Sequence, residues 1–177
     1  ELFIKRVIHT TADFDYADNL TFSDHAVQKG IAALKSGCDI VTDTQMAKAG
    51  INKTILASLG GEVHCFMSDP DVAQEARSRG VTRAFVSMEK AAALEKPCIF
   101  AIGNAPTALL SLEQLMEEGK AAPALIIGVP VGFVNVEISK ERIIEKARAP
   151  YIVARGRKGG SNVAAAICNA LLYQIRR

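Results

Sequence analysis

The sequence predicts an α/β fold with a parallel sheet of about five strands and helices on both faces. Two observations carry that expectation. Short β-branched runs alternate with longer stretches whose apolar residues recur at helical spacing. Several of the short runs are also apolar throughout, which marks strands covered on both faces. At 177 residues the chain is most simply a single domain, 1–177.

The expected strands are 39–42 (DIVT), 62–66 (EVHCF), 98–102 (CIFAI), 124–129 (ALIIGV) and 151–154 (YIVA). Between them the helical signals are amphipathic. Val27, Ile31 and Leu34 fall at i, i+4 and i+7. Asp69-Pro70 reads as an N-cap followed by proline at the first helical position. Ala108, Leu109, Leu112, Leu115 and Met116 form a wider stripe, with Gly119 placed to end it. Ser161 is positioned to cap a last helix that is apolar almost all round from Val163 to Leu172, and so expected to be buried.

Composition narrows the function. Apolar residues make up 49% and charged residues 23%, as in an ordinary globular protein. A net charge of +2, 6% aromatics and no Trp argue against nucleic acid as a partner. No apolar run approaches the roughly 18 residues of a membrane span, and no leader pattern opens the chain. Cys38, Cys65, Cys98 and Cys168 form no CxxC pair and read as buried free thiols of a reducing, cytoplasmic compartment. No metal site is expected: His64 and Cys65 are neighbours on a strand and point to opposite faces.

Ligands of open parallel sheets bind at the carboxyl ends of the strands. Here those junctions are TDTQM, MSDPD, GNAPT, GVPVGFVN and RGRKGGSN. Any one is ordinary turn chemistry; together, on one rim, they favour a ligand crevice. Several feed helix N-termini, which favour anions, and the last adds Arg155, Arg157 and Lys158. Neither GxxxxGK[ST] nor GxGxxG after the first strand is present. Of the three histidines, His64 reads as a satisfied core residue and His25 as exposed. His9 differs: Val7 and Ile8 anchor it, and Thr10, Thr11 and Asp13 are placed to bond its ring, so it could exchange a proton near neutral pH.

Five stretches, RVIHTTADFDYADNLTFS, IVTDTQMAKAGI, GNAPTAL, GVPVGFVN and RGRKGGSNVAAAICNALL, together resemble the precorrin-8X (cobalt-precorrin-8) methylmutase family. The likeness runs from about Phe3 to Leu172. It implies a flavodoxin-like three-layer α/β/α fold, and an isomerase of cobalamin biosynthesis that moves a methyl group between adjacent ring-C carbons of a corrinoid. It also implies no organic cofactor, and a homodimer with shared active sites. Carried onto this chain, His9 is the catalytic residue, protonating the macrocycle to promote a 1,5-sigmatropic shift and then recovering the proton. Arg83 matches a carboxylate-binding arginine that reaches the neighbouring subunit's site. Thr10, Thr42, Asp43, Met46, Asn104, Thr107, Val131, Gly132, Phe133 and Arg157 are the expected substrate-binding residues. Two departures accompany the likeness. The family carries a segment ahead of the histidine motif, so an N-terminal portion is expected to be missing here. The family's Val-Glu-Ser-Lys is replaced by Glu137-Ile138-Ser139-Lys140, with Glu137 one place early. A corrinoid binder without turnover and a flavodoxin-like nucleotide or flavin binder are the alternative readings. A phosphoryl-accepting receiver is disfavoured, because Gly103-Asn104 stands where its aspartate would be.

Overall fold

A computed structural model describes residues 1–176. In chain order the elements are α1 (Leu2–Thr11), α2 (Tyr16–Asn19), β1 (Leu20–Phe22), α3 (Ala26–Lys35), β2 (Asp39–Thr42), α4 (Gln45–Gly50), α5 (Lys53–Ser58) and β3 (Val63–His64). There follow α6 (Pro70–Arg79), α7 (Arg83–Ala92), β4 (Cys98–Ile102), α8 (Pro106–Glu117), β5 (Leu125–Gly128), α9 (Val136–Lys146), β6 (Tyr151–Ala154) and α10 (Ser161–Ile175). The strands form one sheet in the order β1-β6-β5-β4-β2-β3. Every pairing is parallel except that of β1, which runs antiparallel to β6.

The continuous apolar runs form the middle of this sheet. Every residue of β2, β4 and β5 is buried. Successive side chains alternate between two cores, as a period of two requires. Ile40, Ile99, Leu125, Ile127 and Ile152 face a core shared with α1, α3, α4 and α10. Val41, Phe100, Ile102, Ile126 and Val153 face a second core shared with α7, α8 and α9. α10 is buried nearly all round, as its composition predicts. Each Leu or Ile taken out of water there contributes about 1.5–3 kcal/mol.

The sheet has six strands where the sequence suggests about five. β1 pairs only three residues along an edge, too short for periodicity to reveal. β3 keeps only Val63–His64 of the expected 62–66 and lies at the other edge. Asp69 does precede Pro70 at the start of α6, but its carboxylate accepts from Lys90 Nζ at 2.7 Å and makes no cap bond. Ser161 is the first helical residue and not the cap, which is Gly160; the Ser161 hydroxyl instead bonds Thr44 Oγ1 at 2.7 Å. Gly119 ends α8 at φ +73°, as expected.

Candidate active site

The ends of four adjacent strands, β6, β5, β4 and β2, converge on one rim. The loops there are stitched to one another by main-chain contact. Gly160 N donates to Val129 O at 2.9 Å, Gly132 N to Arg157 O at 3.2 Å and Val129 N to Ile102 O at 2.8 Å. Such closeness requires small residues. A Cβ on Gly159 would stand 2.0 Å from Val129 O, and one on Gly103 2.7 Å from Gly160 O.

The expected site residues divide into those that face outward and those that hold the rim together. Met46, Val131 and Phe133 are exposed, as are Asn104 and Arg157, while Thr107 and Gly132 are half-buried beside them. Thr42 and Asp43 are buried. Thr42 Oγ1 donates to Thr44 O at 2.9 Å. The Asp43 carboxylate accepts from Gly103 N, Asn104 N and Ala105 N at 2.8, 2.9 and 2.6 Å, welding the β2 loop to the β4 loop. Burial pushes its carboxyl above the ordinary range, and the three amides pull it back.

The rim is both greasy and cationic. Met46, Val131, Phe133, Val134 and Ile138 stay exposed in rim segments or in the first turn of α9, which leaves the rim, and Phe14 stays exposed in the segment after α1. The cations are less available than the sequence suggests. Arg155 is spent on Glu141 through two bonds of 2.9 and 2.8 Å. Lys158 Nζ lies 2.6 Å from both Asp13 and Asp15. Arg157 is the loosest, 3.6 Å from Glu137, with its guanidinium 5.5 Å from the centre of the Phe133 ring. The shifted Glu137 is therefore a partner of Arg157.

His9 sits exposed in the last turn of α1. Val7 is buried beneath it, so the anchoring expected from the sequence holds. The expected hydrogen bonds do not. Thr10 and Thr11 hydroxyls donate back to Arg6 O and Val7 O at 3.0 and 2.8 Å, the usual alternative for a helical threonine. Asp13 is turned to Lys158. His9 instead opens onto a groove of about 450 Å³ between α1 and α10, which it lines with Lys5, Arg6, Ala170 and Tyr173. Arg6 lies over the Tyr173 ring, 4.6 Å from its centre. The Asp13–Lys158 and Asp15–Lys158 bridges tie the segment just after His9 to the rim.

Arg83 is exposed at the start of α7, which packs on the sheet face opposite α1. Within one chain the sheet separates it from His9. His25 is exposed as expected. His64 is half-buried away from the rim: its Nε2 lies 2.9 Å from Asp39 Oδ2 and 3.3 Å from Glu62 Oε1. These three residues bring ligand-type atoms within 4.8 Å of one another, a proximity that strand spacing in the sequence did not reveal. Lys96 Nζ, 2.8 Å from Asp39 Oδ1, supplies a cation to the cluster.

Sequence reasoning passed over Lys140, which is fully buried under the rim. The signal was present: in α9 it shares a face with Val136, Ser139 and Ile143, a core register for a charged residue.

The family model described as precorrin-8X methylmutase matches residues 1–174. The chain is 50% identical over 177 residues to a cobalt-precorrin-8 methylmutase of Salmonella typhimurium, spanning 99% of this chain and 82% of that protein. It is 48% identical over 168 residues to a cobalt-precorrin-8 methylmutase of Priestia megaterium, spanning 95% and 74%. Among solved structures it resembles the precorrin-8X methyl mutase of Thermus thermophilus with a TM-score of 0.87 and 39% identity, covering 97% of this chain and 84% of that one.

Proposed function

The chain belongs to the precorrin-8X methylmutase family, and from that premise we propose that His9 and the strand-end rim carry out the family's methyl migration. The protein is an isomerase of cobalamin biosynthesis. It moves a methyl group between adjacent ring-C carbons of precorrin-8X or cobalt-precorrin-8, giving hydrogenobyrinic or cobyrinic acid. Substrate and product are isomers, so no atom is supplied or removed. The two relatives described above at 50% and 48% identity carry the cobalt name, which favours the cobalt-bearing substrate.

In this reading the imidazole of His9 gives its proton to the macrocycle. The protonated ring draws electron density from the migrating bond, the methyl shifts, and the proton returns to His9. Histidine suits the task because its ordinary pKa lies near neutrality, so both transfers cost little. The observation that carries the proposal is an exposed His9 at a helix end that the Lys158 bridges to Asp13 and Asp15 tie to an apolar, cation-bearing rim. A corrin offers a broad apolar ring with carboxylate arms. Phe133, Val131 and Met46 can cover the ring, and Arg157, Asn104 and Thr107 can meet the arms. Thr42 and Asp43 serve the site by bracing its loops, and Thr10 by holding the end of α1.

The site is shared in a homodimer. Arg83 stands across the sheet from the His9 of its own chain, so it serves the other subunit's substrate. The whole of residues 1–177 acts as one domain in this reading. A cytoplasmic setting fits Cys38, Cys65, Cys98 and Cys168, all buried and free. No helix among the described residues is long and apolar enough to cross a membrane.

His9→Ala tests the proposal. Mixed with the precursor, it should keep the fold and bind corrinoid with parental affinity while turnover falls about 10²–10⁴-fold, the usual worth of a general acid–base group. The visible spectrum of the tetrapyrrole reports both. Conversion at the parental rate would remove His9 from the mechanism.

A further inference from the structure

Lysine is almost never fully buried without a partner, yet Lys140 has no exposed surface. Helical periodicity turns it inward with Val136, Ser139 and Ile143. Its ammonium donates to two main-chain carbonyls, Gly156 O at 2.8 Å and Lys158 O at 2.9 Å. Both belong to the loop that follows β6. The carbonyl between them, Arg157 O, accepts from Gly132 N at 3.2 Å. Three successive carbonyls are thus bonded within the fold, while the Arg157 and Lys158 side chains stand exposed. Burial pushes the Lys140 amine down to about 8, the mark of a cation held in place at a cost to itself.

The loop does not end the chain of contacts. Lys158 Nζ reaches Asp13 Oδ2 and Asp15 Oδ2, both at 2.6 Å, in the segment directly after α1. α1 carries His9. A route of direct bonds therefore runs from the interior of α9, through the β6 loop, to the end of the histidine helix.

We infer that Lys140 is a positioning residue, which fixes the 155–160 loop from beneath and, through Lys158, sets where His9 stands. The inference rests on the reading of His9 given above. Lys140 touches no substrate; it acts on the imidazole through the loop and the two aspartates.

Two substitutions test it, each with a readout that needs no substrate. Lys140→Met keeps most of the volume and removes every donor. Amide hydrogen exchange at Gly132 and Gly160, whose N–H groups stitch the loop, should speed up about tenfold while helices remote from the rim keep their protection. Lys158→Met cuts the route at its exposed link, leaves the core alone and should speed exchange at Asp13 and Asp15. On the corrinoid precursor each variant should lower kcat about tenfold with KM little changed. The double variant should be no worse than either single one, because both break one tether. Unchanged exchange at Gly160 in Lys140→Met, or losses that multiply in the double variant, would overturn the inference. If Lys140→Met does not fold, Lys158→Met still decides the route: parental kcat overturns it, and a tenfold loss supports it. A parent protein that leaves the precursor unchanged would sink the functional reading alone, since the exchange measurements judge the brace separately.

Discussion

Gly159→Ala probes the contact on which the rim depends. The added Cβ would lie 2.0 Å from Val129 O, 2.7 Å from Val129 C and 2.8 Å from Pro130 O. Carbon and oxygen normally stay about 3.3 Å apart, so the two loops must separate by more than about 1 Å. No flexible side chain can yield here, because all three atoms are backbone. Separation breaks the Gly160 N to Val129 O bond, now 2.9 Å, and strands a buried N–H. That loss costs about 1–3 kcal/mol, and the overpacking about 1–3 kcal/mol more. Taking about 4 kcal/mol, a chain of this size should melt about 10 °C lower. Gly156→Ala is the control. Nothing lies within 4 Å of its Cβ, and its φ of +87° imposes only a conformational cost of about 1–2 kcal/mol. Differential scanning calorimetry of the three proteins reads the stability. Turnover of the precursor should fall about 100-fold in Gly159→Ala, as expected when positioning slips by about 1 Å. A melting temperature within about 2 °C of the parent, with undiminished turnover, would refute the described loop contact.

Two further outcomes follow from the same geometry. His9→Ala and Arg83→Ala should each be nearly inactive alone, yet regain roughly a quarter of parental turnover after mixing and subunit exchange, since half the dimers would hold one intact shared site; no recovery would mean that each site takes both residues from one subunit. Asp39 supplies the pH test. Burial pushes its carboxyl up, but Lys96, His64 and the Glu62 amide outweigh that and hold it below the usual 3.8. A carboxyl lowered in the folded state contributes stability above its unfolded value and loses it as pH falls through the folded one. Lys96→Met should therefore melt lower than the parent at pH 7, with the gap narrowing below about pH 4; a gap constant with pH would dismiss the Asp39–Lys96 pair as its cause.

How much of this was legible beforehand follows from the range of each interaction. The runs 98–102 and 124–129 are apolar at every or nearly every position, and a strand can be apolar on both faces only if both faces are covered. Hence the class, the middle of the sheet and the crowding of polar turns at its carboxyl edge could be read directly. β1 could not, because its pairing with β6 joins Leu20 to Ala154. The family resemblance offered Asp43 as a substrate-binding residue; only the fold shows three amides of the next loop already on its carboxylate.

The same holds for the cations of RGRKGGSN. Local sequence offers Arg155, Arg157 and Lys158 as equals. Folding brings Glu141 to the first, leaves the second nearly free, and binds the third to aspartates more than a hundred residues earlier. Alone, then, the sequence determined which segments are buried and where the chain turns, since burial is written in each segment's own periodicity. Tertiary structure decided which charges remain for a substrate, which side of the sheet His9 and Arg83 occupy, and that Lys140 lies beneath the rim. Those properties belong to pairs of distant groups, and a charge is neutralised by whatever stands within a few ångströms of it in space.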